Sequence, residues 1–577
     1  MATPPPLDAR IRLSIGLTAH RDLVPEQEPI LRAEVRRFFL QLRADFPELP
    51  LRLISALAEG GDQLVAEEAL ALGIELVVPL PMAQGEYERD FSDPEILARF
   101  RRLLGQARVR VLPLAPGITA ESIAIRGENR NRQYAQLGMF VSSHCQLLLA
   151  LWDGTPSDAT GGTAQVVAFH IHNVMPGLSV EQVAPNLLAD DESDLVYHLK
   201  CSRRLASTAA TSDVQAQWLT LAGSQPVGSG VPEHYCHVFG QMQMLNHDMA
   251  RHARAIAESM SPLFDDSIPS ALPPITSGVE RLFHAADWLA IHFQRRVRSS
   301  LLATHAIAAL MGLAFILFSD VSAQPVFVAA FLALFLIGFA LTLFGRQRQW
   351  QRKYLDYRGL AEGLRVQLYW RMAGVETPPN SSLGYDSFLQ KQDVDLSWIR
   401  HAMRGSGLLR DEDFQPDSRW LAWVVEHWIG DRHGAGGQLE YYRRGTQRRE
   451  QAYELTTRLG TFALGGGLLG AIALLLGSET GMAARVQQTL LMAMGLLPLL
   501  AGIREAYSYK KADKELIKQF RFMSRLFDSC SERLQNIRSE AETRQLLFAL
   551  GRACLEEHAE WILLHRERPL EHAQLSG

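Results

Sequence analysis

From residue 11 to about residue 205, short apolar segments alternate with longer amphipathic ones. The apolar segments have the length of buried strands, and we predict strands at residues 11–16, 51–57, 74–80, 109–115, 145–152 and 195–199. The segments between them predict helices at residues 29–46, 61–72, 96–104, 131–143 and 163–170. Strands that alternate with helices form a parallel sheet covered on both faces. We therefore predict an N-terminal α/β domain with a parallel sheet over residues 1–205.

Four later stretches lack Asp, Glu, Lys and Arg: residues 299–319, 321–345, 459–478 and 486–503. A membrane-spanning helix needs about 20 mostly apolar residues, and each stretch is close to or above that length. A glycine run interrupts the third stretch and Pro498 the fourth, but membrane helices tolerate both residue types. The sequence predicts an all-α membrane region with four transmembrane helices in two hairpins.

Basic residues border each hairpin on one side only. They precede the first and third stretches and follow the second and fourth: Arg295, Arg296, Arg298, Arg346, Arg348, Arg352, Lys353, Arg443, Arg444, Arg448, Arg449, Lys510, Lys511 and Lys514. The only charged residues in the turns inside the hairpins are Asp320 in the first turn, and Glu479 and Arg485 in the second. Because basic flanks stay in the cytoplasm, we predict a multi-pass membrane protein with both termini cytoplasmic.

These patterns divide the chain into an N-terminal domain, a membrane half and two less regular segments. The predicted parts are residues 1–205 (ligand-binding domain), 206–290 (helical extension), 291–372 (first two-span module), 373–440 (cytoplasmic insert) and 441–577 (second two-span module with C-terminal helices). The two modules resemble each other weakly, since each has a basic helix, two spans and an amphipathic helix. Apolar residues recur every three or four positions after each hairpin, as in helices that pack against another helix: Tyr357, Leu360, Leu364 and Leu368, then Ala512, Leu516, Phe520, Met523 and Phe527.

Composition argues against nucleic acid and metal ions as ligands of this protein. The 58 basic and 63 acidic residues nearly balance, so a general nucleic-acid surface is not expected. The five cysteines have no metal-binding spacing, and we predict reduced thiols and no metal site. The first residues include no apolar segment typical of a secretory signal.

Candidate ligand-binding residues follow the predicted strands. Carboxyl ends of parallel strands meet at one edge of a sheet, where ligands bind. A helix N-terminus presents free N–H groups to anions, and glycines let a phosphate approach the backbone. The predicted ligand-binding residues are Gly16, Thr18, His20, Arg21, Glu59, Gly60, Gly61, Asp62, Tyr87, Asp153, Gly154, Gly161, Gly162 and Thr163.

Several of these residues have a second interpretation. His20 either contacts phosphate or is an ordinary histidine at a strand end. Glu59 is either a general acid or base or a carboxylate that complements a helix dipole. Asp62 either contacts ligand or caps a helix, and Tyr87 either stacks on a base or packs internally. His305, inside the first span, either lines a cavity or links helices. Further possible ligand contacts are Arg126, Arg132, Tyr197, His198 and Arg203.

The order of "IGLTAHRDL", "SALAEGGDQLVAEEALALGIELVVPLPM", "YERDF" and "LLLALWDG…GGTAQVV" resembles the SLOG superfamily of Rossmann-like nucleotide-sensing domains. The C-terminal half is similar in architecture to the SLATT membrane effector modules of bacterial conflict systems, which implies a location in the bacterial inner (cell) membrane. The resemblance implies a Rossmann-like fold and a nucleotide-derived, including NAD-derived, ligand. Some SLOG members hydrolyse N-glycosidic bonds, but their PGGxGTxxE signature is incomplete in "TGGTAQVV", which lacks the glutamate after Thr163. Binding is therefore favoured over hydrolysis, and we assign no catalytic residue.

Together these observations predict a membrane-bound sensor–effector. A nucleotide second messenger or NAD-derived molecule, rather than a cofactor, binds in the cytoplasm, and the spans permeabilise the lipid bilayer in antiviral defence, in a homo-oligomer. The first alternative is a membrane-anchored nucleotide or NAD hydrolase that uses Glu59 or Asp62. The second is a constitutive channel or transporter, which the absence of charged residues inside the spans disfavours.

Overall fold

A computed structural model describes residues 10–566 except 173–174, 176–194, 205–213, 260–273, 376–395, 407, 409–416, 431–435 and 478–480. The chain divides into two compact units. One comprises Met1–Ala285 and Leu360–Asp417, and the other Ala286–Gly359 and Ser418–Gly577. Each unit has its own architecture.

The first unit contains one eight-stranded sheet. Its strands are β1 (Leu13–Ala19), β2 (Leu51–Ile54), β3 (Glu75–Leu80), β4 (Arg108–Val111), β5 (Leu147–Trp152), β6 (Val196–Lys200), β7 (Gln215–Thr220) and β8 (Gly223–Pro226). The first six overlap with the six predicted strands, although β1 ends later and β2 and β4 end earlier than predicted. Most of their residues are apolar and buried on both sides, as strands covered by helices on both faces require.

The strand order is β4-β3-β2-β1-β5-β6-β7-β8. All pairs from β4 to β6 are parallel, whereas β6–β7 and β7–β8 are antiparallel. The predicted parallel sheet is therefore correct for six strands, but the complete sheet is mixed. The difference arises from the β7–β8 hairpin, which adds an edge to the sheet beyond residue 205.

Helices cover both faces of this sheet. In chain order they are α1 (Glu28–Asp45), α2 (Gly61–Ala71), α3 (Gln84–Tyr87), α4 (Pro94–Leu104), α5 (Ala120–Ile123), α6 (Glu128–His144), α7 (Thr163–His172), α8 (Glu233–Arg251) and α9 (Ala253–Ser259). In β1, Ile15 and Leu17 point to the face covered by α1 and α2, and Gly16 points to the face covered by α6 and α7. A Cβ added at Gly16 would lie 2.7 Å from the sulfur of Cys145, so the glycine permits close packing there.

A helix from the segment between the two hairpins completes the first unit. This helix, α13 (Ser397–Ser406), is almost entirely buried and packs against α6 and α8. Gln146, just before β5, donates to the carbonyl oxygen of His401 over 2.7 Å. Arg52 and Arg110, on β2 and β4, donate to the carbonyl oxygens of Gly405 and Leu408 over 3.2 and 2.9 Å. Part of the segment predicted as an insert is therefore bound to the sheet.

The remaining helices include four that are long and apolar enough to cross a membrane, as predicted. These four stretches are Gly278–Val321, Pro325–Met372, Gly437–Gly477 and Ala484–Lys511. They correspond to α10 (Pro274–Ile316) with a π-helical end, α11 (Pro325–Gln347) with α12 (Trp350–Met372), α15 (Gly437–Gly477) and α16 (Ala484–Lys511). The other helices are α14 (Ser418–Val424), α17 (Asp513–Asn536) and α18 (Glu540–Arg566).

Glycines allow the apolar helices to pack closely. A Cβ at Gly467 of α15 would lie 2.7 Å from the Pro498 ring of α16, and one at Gly312 of α10 would overlap Leu499. Small residues let helix backbones approach closely, and the van der Waals packing that results drives helix association in lipid, where the hydrophobic effect does not. The interruptions at the glycine run and at Pro498 are thus contact points between neighbouring helices.

Candidate functional site

The candidate site lies where the strand order reverses. From β1 the chain forms β2, β3 and β4 on one side and then places β5 on the other side of β1. A ligand-binding crevice is therefore expected beyond the carboxyl ends of β1 and β5, where open α/β sheets bind ligands. β1 ends at Ala19 and β5 at Trp152, so His20 and Asp153 follow directly at this crevice.

His20 and Asp153 are in direct contact. The backbone N–H of Asp153 donates to His20 Nε2 over 3.2 Å, and Asp153 Oδ1 lies 3.4 Å from the same nitrogen. Burial lowers the pKa of His20, and the Asp153 carboxylate only partly offsets that effect. Burial alone would raise the pKa of Asp153, but the N–H of Thr155 and the His20 ring outweigh it and the pKa is lowered. The pair is a neutral imidazole beside a carboxylate at neutral pH.

Two glycines at the start of α2 pack against the chain that leaves β1. A Cβ at Gly60, whose φ is +81°, would overlap the carbonyl oxygen of Arg21. A Cβ at Gly61 would lie 2.5 Å from that of Ala19, and the Gly61 N–H donates to the His20 carbonyl oxygen over 3.1 Å. The glycine pair therefore holds the first loop rather than facing open space.

Asp62 is buried one residue further along α2. Ser55, which follows β2, donates its hydroxyl to Asp62 Oδ2 over 3.1 Å. Burial raises the pKa of Asp62 to about 7, although the Ser55 hydroxyl, the Ala58 N–H and the charge of Arg21 each oppose the shift. The Ser55–Gly60 loop is also strained, because buried Leu57 has a φ of +57°. Perturbed carboxyls and strained loops are both common at functional sites.

The side chain of Arg21 lies beside the aromatic ring of Tyr134 on α6. Its guanidinium lies 5.4 Å from the centre of the Tyr134 ring. The Tyr134 hydroxyl donates to Asp90, and Arg130 also donates to Asp90 over 2.9 Å and to Glu86 over 2.8 Å. These contacts fix the first turns of α6 at the carboxyl edge of the sheet.

The structure places Tyr87 inside the core rather than at the crevice. Its side chain is 1% exposed, its hydroxyl donates to the carbonyl oxygen of Ala56 over 3.2 Å, and Phe91 and Phe100 contact the ring edge-on. A ring enclosed in this way is not available to stack on a base. Tyr134, which is only partly buried, is the aromatic ring that faces Arg21.

The Gly161-Gly162-Thr163 turn begins α7, as predicted, but its glycine N–H groups are occupied. The Gly161 N–H donates to Gln165 Oε1 over 3.0 Å, and the Gly162 N–H donates to the Ala159 carbonyl oxygen over 2.9 Å. A Cβ at Gly161, whose φ is +76°, would lie 2.7 Å from the backbone nitrogen of Ala135. The N–H groups that an anion would find at this helix start are those of Thr163 and the residue after it.

Two basic side chains of β6 lie beside the β5 end. A Cβ at Gly154, whose φ is +84°, would lie 3.8 Å from the His198 ring and 3.9 Å from Cε of Lys200. His198 donates from Nε2 to the Trp152 carbonyl oxygen over 2.9 Å, and burial lowers its pKa. His198 is therefore a neutral imidazole at this edge, and Lys200 is the side chain of β6 that can attract an anion.

Three further predicted residues lie less directly at the crevice. Gly16 and Thr18 are inside β1, where both are buried, and Glu59 is partly buried in the turn before α2. The structure thus places His20, Arg21, Gly60, Gly61, Asp62, Asp153 and Gly154 in the segments that follow β1, β2 and β5, and the Gly161–Thr163 turn at the start of α7, whereas Gly16, Thr18 and Tyr87 are buried.

A cleft of about 640 Å³ adjoins the loop after β5. Trp152, Gln165 and Ile171 line one side, and Leu219 and Thr220 of β7 line the other. Its volume lies in the range of small-molecule sites.

Sequence reasoning did not select Tyr134, Ser55 and Lys200, and it left His198 open. One available signal was the direction of the chain: a helix that precedes a parallel strand begins at the carboxyl edge. The first turns of α6, which include Tyr134, therefore had to lie near the predicted ligand residues. Ser55 and Lys200 lie at the carboxyl ends of β2 and β6, so the positions of these strand ends were the signal that could have found them.

Neither the comparison with protein-family models nor the comparison with curated proteins finds a match for this chain. Among the described residues, no group of His, Cys, Asp and Glu side chains has the arrangement of a metal site. The resemblance to SLOG and SLATT proteins remains a prediction.

Proposed function

We propose that this protein is a membrane-bound sensor–effector that binds a nucleotide-derived ligand, of which NAD-derived molecules are one class. The proposal rests on the contact between His20 and Asp153 at the point of strand reversal, in a chain that also has four apolar helices. Basic side chains, a helix N-terminus and a carboxylate are the groups that phosphates and ribose hydroxyls require.

The electrostatics of the site favour an anion. Burial raises the pKa of Asp62 to about 7, so its carboxyl is neutral over part of the physiological pH range and does not fully oppose a phosphate near Arg21. Asp153, whose pKa is lowered, remains a carboxylate that can accept hydrogen bonds from ribose hydroxyls. The N–H groups at the start of α7 and the ammonium group of Lys200 complete the set of donors.

The response proposed for the membrane half is permeabilisation of the bilayer as an antiviral defence, in a homo-oligomer of the bacterial cell membrane. Ligand binding shifts a conformational equilibrium only if one state binds the ligand better than the other. Residues that ligand contact would move, such as Arg21 and Tyr134, are therefore expected to differ between the resting and active states.

The test uses the full-length protein in dye-filled liposomes with NAD, ADP-ribose and cyclic nucleotides added separately. We expect one of these to raise the melting temperature without turnover and to trigger dye release. Gly162→Glu, which puts a carboxylate beside the α7 N-terminus, should abolish both effects. Gly240→Glu on α8, where a Cβ meets open space, adds the same charge elsewhere and should preserve them. Ligand-triggered release from Gly162→Glu at the wild-type level would refute the site.

A membrane-anchored nucleotide or NAD hydrolase is the second candidate function. It is favoured by Asp62, because a carboxyl with a pKa of about 7 is suited to general acid catalysis near neutral pH. Steady product formation from NAD or ADP-ribose, lost in Asp62→Asn or Glu59→Gln, would establish this function and exclude a pure sensor.

A further inference from the structure

An exposed group of arginines borders the first apolar hairpin. Arg295, Arg296 and Arg298 lie on α10 before its apolar stretch, and Arg346 and Arg348 lie at the end of α11. All five side chains are exposed. We refer to these five residues as the cationic collar.

The sequence around the cationic collar contains almost no acidic residues. Between Asp287 and Asp356 the sequence contains one carboxylate, Asp320, which lies in the turn at the opposite end of the two helices. Among the described residues, no ion pair joins a collar arginine to a carboxylate. Arg296 instead lies 5.6 Å from the Trp350 ring centre, and Arg348 lies 5.3 Å from that of Phe344.

The second hairpin is bordered by basic residues too, but carboxylates neutralise many of them. The ion pairs around this hairpin include Arg443–Asp528, Arg444–Glu440, Arg458–Glu454, Arg504–Glu505, Lys511–Asp513 and Arg521–Glu450. Beside the first hairpin, Arg352 pairs with Asp356, in contrast to the five arginines of the cationic collar. Two hairpins with similar basic flanks therefore differ in their uncompensated charge. Orientation in the membrane alone does not require that difference, because paired and unpaired arginines count equally in the positive-inside rule.

We propose that the cationic collar binds the headgroups of anionic phospholipids. Guanidinium groups form paired hydrogen bonds with phosphate oxygens, and their position directly beside the apolar stretches places them at headgroup depth. Phe344 and Trp350, interleaved with the arginines, are residue types found at the edge of the hydrocarbon region. The proposal goes beyond ligand sensing and depends only on insertion of the apolar helices.

The test compares phosphatidylglycerol with phosphatidylcholine in nanodiscs that contain the full-length protein and both lipids. After transfer to detergent, mass spectrometry counts the lipids that remain bound. We expect preferential retention of phosphatidylglycerol, and Arg346→Gln/Arg348→Gln should reduce that preference at least about fivefold. Arg443→Gln/Arg444→Gln removes the same charge from the second hairpin and should leave the preference near the wild-type value.

Two further results decide the proposal. Arg346→Lys/Arg348→Lys keeps the charge and should retain most of the preference, which separates lipid binding from misfolding. If the Gln variant of the first hairpin does not fold, Arg295→Gln on the neighbouring helix serves the same purpose. Equal retention of the two lipids by the wild type, or equal losses in the two double Gln variants, would overturn the proposal. Because no nucleotide is added, failure here leaves the proposed sensor function unaffected.

Discussion

Replacing Asp62 by asparagine should remove a pH-dependent loss of stability from the sheet domain. Asp62 is 5% exposed, and its carboxyl accepts the Ser55 hydroxyl in a site where burial raises its pKa from 3.8 to about 7. Asparagine has the same shape and resembles the neutral carboxylic acid. It should therefore fit the site without the cost of holding a charge away from water.

The size and sign of the effect follow from the two pKa values. Each pH unit between the folded and unfolded pKa corresponds to about 1.4 kcal/mol. Above pH 4 the unfolded chain has lost the Asp62 proton, whereas the folded chain keeps it until about pH 7. The stability contributed by the neutral carboxyl is complete below the unfolded pKa and is lost as pH rises through the folded pKa. Between pH 5.5 and pH 8 the wild type should lose about 2 kcal/mol at this site.

The assay is hydrogen exchange of the β1 and β2 amides in the full-length protein, corrected for intrinsic exchange rates at each pH. The wild type should show the loss of opening free energy between pH 5.5 and pH 8, and Asp62→Asn should not. Glu59→Gln, three residues earlier, removes a carboxylate that is only partly buried and should keep the wild-type pH dependence. The same pH profile in wild type and Asp62→Asn would refute the inferred pKa.

Two substitutions test the packing of glycines. Gly161 has a φ of +76° and lies in close contact with α6, whereas Gly154 has a φ of +84° but its nearest atom is 3.8 Å away. Each positive φ costs alanine about 1–3 kcal/mol, so Gly161→Ala should lower the melting temperature more than Gly154→Ala. Equal shifts in melting temperature would contradict the contact between Gly161 and α6. Gly467→Val, directed at Pro498, should destabilise the detergent-solubilised protein by about 1–3 kcal/mol, whereas Gly465→Val, which meets open space, should not. Equal melting temperatures would show that α15 and α16 pack differently.

The β7–β8 hairpin shows where prediction from sequence failed. Five of the six parallel strands were predictable because their apolar runs reflect burial on both faces, whereas β4, at the edge, is only partly buried. β8 is Gly-Ser-Gln-Pro, is exposed throughout, and forms an edge, so neither hydrophobicity nor alternation marks it as a strand. The position of helix α13 was not predictable either, because the residues that donate hydrogen bonds to this segment are distant in sequence: Arg52, Arg110 and Gln146.

The candidate site was partly predictable for a geometric reason. Parallel strands align their carboxyl ends, so residues that follow β1 and β5, such as His20 and Asp153, had to become neighbours. Side-chain burial was not predictable in the same way. Tyr87 follows β3 in a polar stretch, yet two phenylalanines contact its ring, and a Cβ at Gly16 would lie 2.7 Å from the sulfur of Cys145.

The most direct test of the central claim is calorimetric titration of the full-length protein with NAD, ADP-ribose and cyclic nucleotides. Wild type, His20→Ala and Asp153→Asn are compared under identical conditions, with Gly240→Glu as the control. We predict that the wild type and the control bind one of these nucleotides with similar affinity, and that both site variants bind it at least about tenfold more weakly, as expected for loss of a hydrogen bond to a charged group. Unchanged affinity in both site variants, or no binding of any of these nucleotides by the wild type, would contradict the account.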